Sequence, residues 1–241
     1  MQTTKKSVFT NLIWRFAERC GAEVLQLLVS VVLARILAPE AFGTIALILV
    51  FSNILQVFVD SGLGNALIQK KDADDLDFSS VFFFNVFVCI VMYLILFFGA
   101  PFIAQFYKDP ELTAFIRVLG LTVVISGVRN IQQAHISRTM QFKKFFITSL
   151  GGVIVAAIVS IAMAIAGLGI WALIAQKIIN LAVATILMWL TVKWRPKLMF
   201  SWTRLKGLIS YGWKLLVSSL IDTVYRELSK LIIGKKYTSE D

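Results

Sequence analysis

The stretch from Leu12 to Ile36 is long and apolar enough to cross a bilayer, yet it carries Arg15, Glu18, Arg19, Glu23, Gln26 and Ser30. At 3.6 residues per turn, positions 15, 19, 23, 26 and 30 recur at spacings of four, four, three and four, so they line one face of a helix. The rest of its surface is Leu, Val and Ile. An ionised side chain at the centre of a membrane helix costs roughly 2.5–3.5 kcal/mol on insertion scales and normally faces a bundle interior or a water-filled path. Two readings stand side by side. Arg19 and Glu23, four apart, neutralise each other, or the stripe lines a polar cavity inside the membrane.

Composition places the whole chain in the same class. The 241 residues are 58% hydrophobic and 16% charged, with a mean hydropathy of +0.80, far from a soluble globular domain. Cys20 and Cys89 lie in apolar segments without metal or redox spacing and read as small hydrophobes. The net charge of +10 sits in short loops between apolar segments. Orientation and anionic lipid explain it better than nucleic acid does. Lys5 and Lys6 precede an apolar run that contains Arg and Glu and has no small-residue cleavage site, so no signal peptide is expected to be removed.

Apolar segments of spanning length run over 12–36, 42–60, 80–104, 112–133, 146–166, 170–192 and 211–233, which predicts seven transmembrane helices. With a cytoplasmic N-terminus, the inner segments 1–11, 65–79, 134–145 and 193–208 hold twelve Lys or Arg, against three in the outer segments. That asymmetry predicts the orientation by the positive-inside rule.

Polar positions within these segments set the expected interior. Asn53, Gln56 and Asp60 share a face of the second helix, as either a weak inward stripe or helix-to-helix hydrogen bonding. The glycines of Asp60-Ser61-Gly62-Leu63-Gly64 are expected to unravel its end, and the acidic run Asp72, Asp74, Asp75 and Asp77 to face solvent. The Phe-rich third helix is expected to face lipid. Arg129 at the inner end of the fourth helix reads equally as cavity-lining or snorkelling. His135 has no second histidine or carboxylate nearby and reads as structural. Gly152, Ala156, Ser160 and Ala164, four apart, form a packing stripe on the fifth helix. Lys177, with Gln176 and Asn180, reads as a cavity position on the sixth.

The seventh helix repeats the problem of the first. Lys214, Ser218, Asp222 and Arg226 stand four apart, followed by Glu227. Its Leu, Ile and Val residues return roughly 3–6 kcal/mol on insertion, while Asp222, Arg226 and Glu227 cost roughly 8–10 kcal/mol. Such a helix needs a wet or protein-lined surface. Sliding the chain by 199 residues places Trp213-Lys214 on Trp14-Arg15, Asp222 on Glu23 and Ser229 on Ser30. A transporter built from two six-helix repeats shows such a pattern.

Several motifs carry a resemblance: Leu33-Ala34-Arg35 with Pro39-Glu40-Ala41-Phe42-Gly43, then Asp60-Ser61-Gly62-Leu63-Gly64-Asn65-Ala66-Leu67-Ile68-Gln69-Lys70-Lys71. Arg138 with Phe142, Gly167-Leu168-Gly169-Ile170-Trp171-Ala172-Leu173, Trp194-Arg195-Pro196 and Leu231-Ile232-Ile233-Gly234-Lys235 follow in order. In these the chain resembles the polysaccharide-transport-type, Wzx-like oligosaccharide flippases, including the teichuronic-acid and lipopolysaccharide biosynthesis exporters. They belong to the multidrug/oligosaccharidyl-lipid/polysaccharide exporter superfamily, whose members usually have twelve to fourteen helices in two lobes.

The resemblance implies an all-α polytopic bundle of about seven transmembrane helices. Residues 1–193 would form a first six-helix lobe, 194–210 a basic cytoplasmic linker, and 211–241 the first helix of a second lobe, the chain being an amino-terminal fragment or truncated frame. It implies a multi-pass protein of the bacterial cytoplasmic membrane that flips an undecaprenyl-diphosphate-linked oligosaccharide by alternating access, with no covalent chemistry and no cofactor or metal. Its partners would be the lipid-linked substrate, membrane lipids and the polysaccharide polymerase machinery. Arg15, Arg19, Lys177, Lys214 and Arg226 are the expected counter-charge for a diphosphate; Glu23, Asp60 and Asp222 are candidates for a coupling proton or sodium ion. The alternatives are a multidrug-type exporter of the same superfamily and an inactive half-length fragment or partner subunit. A membrane transferase lacks a catalytic constellation here.

Overall fold

The computed structural model of the protein describes residues 5–60 and 62–236, leaving aside the side chains of 5–12, 18, 19 and 229–236. Every regular element among them is helical: α1 (Lys5–Ile36), α2 (Pro39–Asp60), α3 (Leu63–Gln69), α4 (Asp75–Tyr107), α5 (Leu112–Thr139), α6 (Phe142–Ile165), α7 (Ile170–Thr191) and α8 (Trp202–Lys236). The seven long helices overlie the seven apolar segments. Five stretches among the described residues are long and apolar enough to span: Pro39–Gln69, Asp75–Tyr107, Leu112–Thr139, Phe142–Ile165 and Ile170–Thr191. The protein is a polytopic all-helical membrane protein. Helices α1 and α8, which carry the ionised stripes, fall outside those five.

Successive long helices alternate in direction, as their shared cores show. One cluster joins Val29 and Leu33 late in α1, Ile45 and Ile48 early in α2, Ala100 and Ala104 late in α4, Ile116 and Leu119 early in α5, and Leu173 early in α7. At the other end Leu67 of α3 meets Val81 early in α4, Ile131 late in α5 and Leu205 at the start of α8. We call this the linker end, because the segment between α7 and α8 closes it. The outer flank of α4 exposes Phe87, Leu94, Phe98 and Phe102, in keeping with a lipid-facing surface. Its opposite flank packs on α5, with Asn85 donating to the Gly127 carbonyl at 3.2 Å.

The small-residue stripe of α6 is a packing surface. Gly152, Ala156, Ser160 and Ala164 are all buried, and a Cβ on Gly152 would stand 2.6 Å from the Asn180 carbonyl oxygen of α7. Helix α1 lies against the same α6, where Trp14 meets Phe146 edge-on at 5.2 Å.

A proline sits inside α4. Pro101 has no N–H, so the Phe97 carbonyl four residues earlier lacks its helical donor. Arg117 of α5 supplies it: Nε donates to Phe97 O at 3.1 Å and the guanidinium lies 4.2 Å from the Phe97 ring centroid. In a membrane span, a neighbouring side chain that satisfies the freed carbonyl is what makes such a proline tolerable.

The linker end departs most from expectation. The segment expected as loop, 65–79, holds α3 and the first turn of α4, and α8 begins at Trp202, inside the expected linker. The acidic run does not simply face solvent. Asp74 and Asp77 form a reciprocal cap on α4, with Asp77 N–H donating to Asp74 at 3.0 Å and Asp74 N–H to Asp77 at 3.2 Å. Asp77 is fully buried and receives Lys70 Nζ at 2.7 Å and Arg204 Nη1 at 3.4 Å. Arg204 also bonds Asp74 at 2.9 Å, and Lys197 pairs with Asp75 at 2.6 Å.

Backbone joins in as well. The N–H groups of Lys197 and Ser201 donate to the Ser79 and Ser80 hydroxyls at 3.0 and 2.9 Å, and Gln132 donates to the Trp194 carbonyl at 3.1 Å. Arg138 caps the end of α3 by donating to the carbonyls of Leu67, Lys70 and Lys71. His135 stacks on Trp194 with centroids 6.0 Å apart, a packing role.

Candidate functional site

The break after α2 positions the site. Asp60 ends α2, and Gly62 turns the chain with φ of +70°, a left-handed conformation that disfavours any other residue. At that turn α8 comes close, and a Cβ on Gly62 would stand 2.7 Å from the Gly212 carbonyl oxygen. Ending a helix strands its last carbonyls. Asn130 of α5 answers one of them, donating to Val59 O at 2.7 Å and reaching Asp60 Oδ1 at 3.4 Å.

Around this break, five long helices and α3 enclose an open cleft of about 680 Å³ at the linker end. Helix α1 contributes Arg15, Glu23 and Gln26; Asp60 comes from the end of α2 and Asn65 from α3. Helix α5 adds Asn130, Gln133 and Ser137 at spacings of three and four, α6 adds Phe145, Ser149 and Val153 four apart, and α7 adds Asn180. The lining is predominantly polar, so water rather than hydrocarbon suits it.

The expected site residues divide. Arg15, Glu23 and Asp60 line the cleft. Lys177 stands beside it, half-buried, and interacts electrostatically with Glu23. The Arg15 guanidinium lies over the rings of Phe145 and Phe142, 5.0 and 5.7 Å from their centroids, an arrangement that stabilises a cation. Lys214, Asp222 and Arg226 are apart from the cleft, on an exposed face of α8, where Arg226 pairs with Asp222. The side chain of Arg19 lies outside the described residues. On the packed face of α8, Glu227 is buried and accepts from Asn53 of α2 at 3.1 Å, so part of the α2 stripe serves helix-to-helix bonding while Asp60 serves the cleft.

Asn65, Ser137 and Ser149 were missed as site residues. The signal for two of them was present: 130, 133 and 137 lie on one face of α5, and 145, 149 and 153 form a second stripe on α6, one residue from the small-residue stripe. Among the described residues no group of three or more His, Cys, Asp or Glu side chains is placed to hold a metal ion.

Comparison with known proteins then gives a context. Residues 32–241 match the family described as polysaccharide biosynthesis protein. The chain is 25% identical over 230 residues to the succinoglycan biosynthesis transport protein ExoT of Rhizobium meliloti, covering 95% of this chain and 47% of that protein. It is 25% identical over 183 residues to the teichuronic acid biosynthesis protein TuaB of Bacillus subtilis, with 75% and 38% covered. It is also 25% identical over 210 residues to the lipopolysaccharide biosynthesis protein WzxC of Escherichia coli, with 85% and 42% covered. The chain thus spans less than half the length of these curated relatives. No solved structure matches it.

Proposed function

This chain belongs to the polysaccharide biosynthesis protein family, and we propose that it forms part of a flippase that carries a polyprenyl-diphosphate-linked oligosaccharide across the bacterial cytoplasmic membrane. The observation that carries this reading is the polar cleft of about 680 Å³ among helices that are otherwise apolar. Hydrocarbon cannot host a sugar or a phosphate, so a path for either must be lined by groups that replace its water. Alternating access needs one opening at a time. In the orientation given by the basic loops, the linker end and the mouth of the cleft face the cytoplasm, where the substrate is loaded.

Arg15, Glu23 and Asp60 would meet the head of the substrate in the cleft, with Lys177 near Glu23 and Arg19 one turn beyond Arg15 in sequence. Lys214 and Arg226, on the exposed face of α8, would supply counter-charge along its flank. Glu23, Asp60 and Asp222 are the groups available to exchange a coupling proton or sodium ion. No bond in the substrate is made or broken, so the work of the residues is desolvation, counter-charge and release. The relatives' names, transport of succinoglycan and biosynthesis of teichuronic acid and lipopolysaccharide, support a cell-surface polysaccharide as the destination.

The test is made in the producing cell. With Glu23→Gln or Asn180→Ala at unchanged membrane level, surface polysaccharide should fall several-fold while lipid-linked oligosaccharide accumulates on the cytoplasmic leaflet. Unchanged export in both variants would remove the cleft from the path. Orientation is tested separately: a reporter at Lys197 should read cytoplasmic, and one after Gly167 external.

A further inference from the structure

We infer that the cleft recognises an uncharged, hydroxyl-rich stretch of glycan and leaves the carrier's diphosphate, and any acidic sugar, outside it; this rests on the reading that the cleft is part of the path of a lipid-linked oligosaccharide. Five carboxamides line it, from Gln26, Asn65, Asn130, Gln133 and Asn180, together with two serine hydroxyls. A carboxamide presents two donors and an acceptor in one plane, and a hydroxyl does both. That is the complement of neighbouring sugar hydroxyls, each of which also donates and accepts. A diphosphate only accepts, and half of what the amides offer would repel it.

The charge count points the same way. Among the described residues the lining holds one cation, Arg15, and two carboxylates, Glu23 and Asp60. Of the cations beside the lining, Arg129 stands within 3.2 Å of the Gln133 amide, and Lys177, one turn from Asn180, is near enough to Glu23 for their charges to interact. A site for two or more negative charges gathers an excess of guanidinium or ammonium groups; this one sets two carboxylates in the way. Its volume falls within the range of about 300–1,000 Å³ of small-molecule sites, room for a short oligosaccharide segment. Asn130 and Asn180 are held in place, Asn130 by donating to Val59 and Asp60, which leaves its oxygen to accept from a ligand, and Asn180 by the close approach of Gly152, so these two are fixed before a ligand arrives.

The test uses the 241-residue chain in lipid nanodiscs, with the exposed Cys20 replaced by Ser and a reporter thiol introduced as Ser149→Cys, or as Ser137→Cys if the first fails to fold. The rate of labelling by a water-soluble maleimide is measured alone and with three kinds of probe: neutral gluco-, galacto- and mannopentaoses, a uronate-bearing oligosaccharide of the same length, and inorganic pyrophosphate. Ser218→Cys, on the exposed face of α8, is the control site. At least one neutral probe should slow labelling in the cleft threefold or more, with the acidic probe and pyrophosphate leaving it unchanged and no probe affecting Ser218→Cys. Protection by pyrophosphate or by the acidic oligosaccharide equal to that by the neutral ones would overturn the inference while leaving the cleft in the path. A reactive thiol that no probe protects would overturn the inference as well. A thiol that stays unreactive in a folded chain would show a dry cleft and overturn the reading on which the inference rests.

Discussion

Arg117 and Pro101 are coupled through a carbonyl that belongs to neither. Replacing Arg117 by Met keeps length and apolar contact but removes the donor to Phe97 O and the cation over the Phe97 ring. A hydrogen bond from a charged donor contributes about 1.5–3 kcal/mol, and the cation–ring contact about 0.5–2 kcal/mol. The single variant is therefore expected to lose about 2–4 kcal/mol, the upper part of the range being offset by the cost of desolvating the guanidinium. In a Pro101→Ala background the helix regains its own donor to Phe97 O. There Arg117→Met should cost only the ring contact, about 0.5–2 kcal/mol, a coupling of about 1.5–2 kcal/mol between two residues that do not bond each other. Unfolding of the four proteins by dodecyl sulfate in mixed micelles, followed by tryptophan fluorescence, gives the cycle. Additivity within about 0.5 kcal/mol, the usual margin for independent sites, would refute the account.

Gly62→Ala combines left-handed strain, about 1–2 kcal/mol, with a Cβ 2.7 Å from the Gly212 carbonyl oxygen, and should be among the most destabilising single changes in the same assay. Gly99→Ala, which meets nothing within 4 Å, should be neutral or stabilising. Gly152→Ala should separate α6 from α7 at a cost of about 1–3 kcal/mol, and Asn180→Ala in the same chain should relieve it only in part, because it removes the side-chain oxygen at 2.7 Å but leaves the carbonyl oxygen at 2.6 Å. Asp77→Ala leaves Lys70 and Arg204 with access to water, at 33% and 40% side-chain exposure, so it should cost about 1–3 kcal/mol, below the 3–5 kcal/mol of a fully buried orphaned charge. The Asp77 N–H, followed by Arg204, holds the Asp74 carboxyl below its ordinary value of 3.8. A carboxyl lowered on folding stabilises fully above that value and loses its contribution as pH falls below it. Thermal midpoints from pH 6 to pH 3 should therefore drop near the acid end, and Asp74→Asn should flatten the drop.

What could be read in the sequence was what lies along one helix. The stripe of Arg15, Glu23 and Gln26 obeys a 3.6-residue period and does line a cleft, and the small-residue stripe of α6 does pack. What could not be read was what comes from elsewhere in the chain. The partners of Asp77 are Lys70 and Arg204, one of them 127 residues away, so an acidic loop gave no sign that one of its carboxylates is enclosed. The face of α8 that bears Lys214, Asp222 and Arg226 has the same period as the stripe of α1, yet it points away from the cleft. Period fixes which residues share a face; only packing fixes where the face points. Pro101 and Arg117 show a third case. Each is unfavourable in a span when taken alone, and only their proximity turns two costs into one satisfied carbonyl.

The enclosure of Asp77 also has an order in time. Lys70 is made before it, whereas Arg204 follows it by 127 residues; at about 5–20 residues per second, that is roughly 6–25 s of synthesis. Through that interval Asp77 has Lys70 as its one cation while α5, α6 and α7 are being made and inserted. The last helix then supplies the second cation, and the linker ahead of it brings the donors to Ser79 and Ser80. The junction is closed by the element that is made last, so an error anywhere in the intervening helices leaves a loop near the start of the chain unsealed. A nascent chain arrested before Lys197 should carry Asp74 and Asp75 without the cations that pair with them and Asp77 with Lys70 alone, and one released beyond Arg204 should have all three pairings complete.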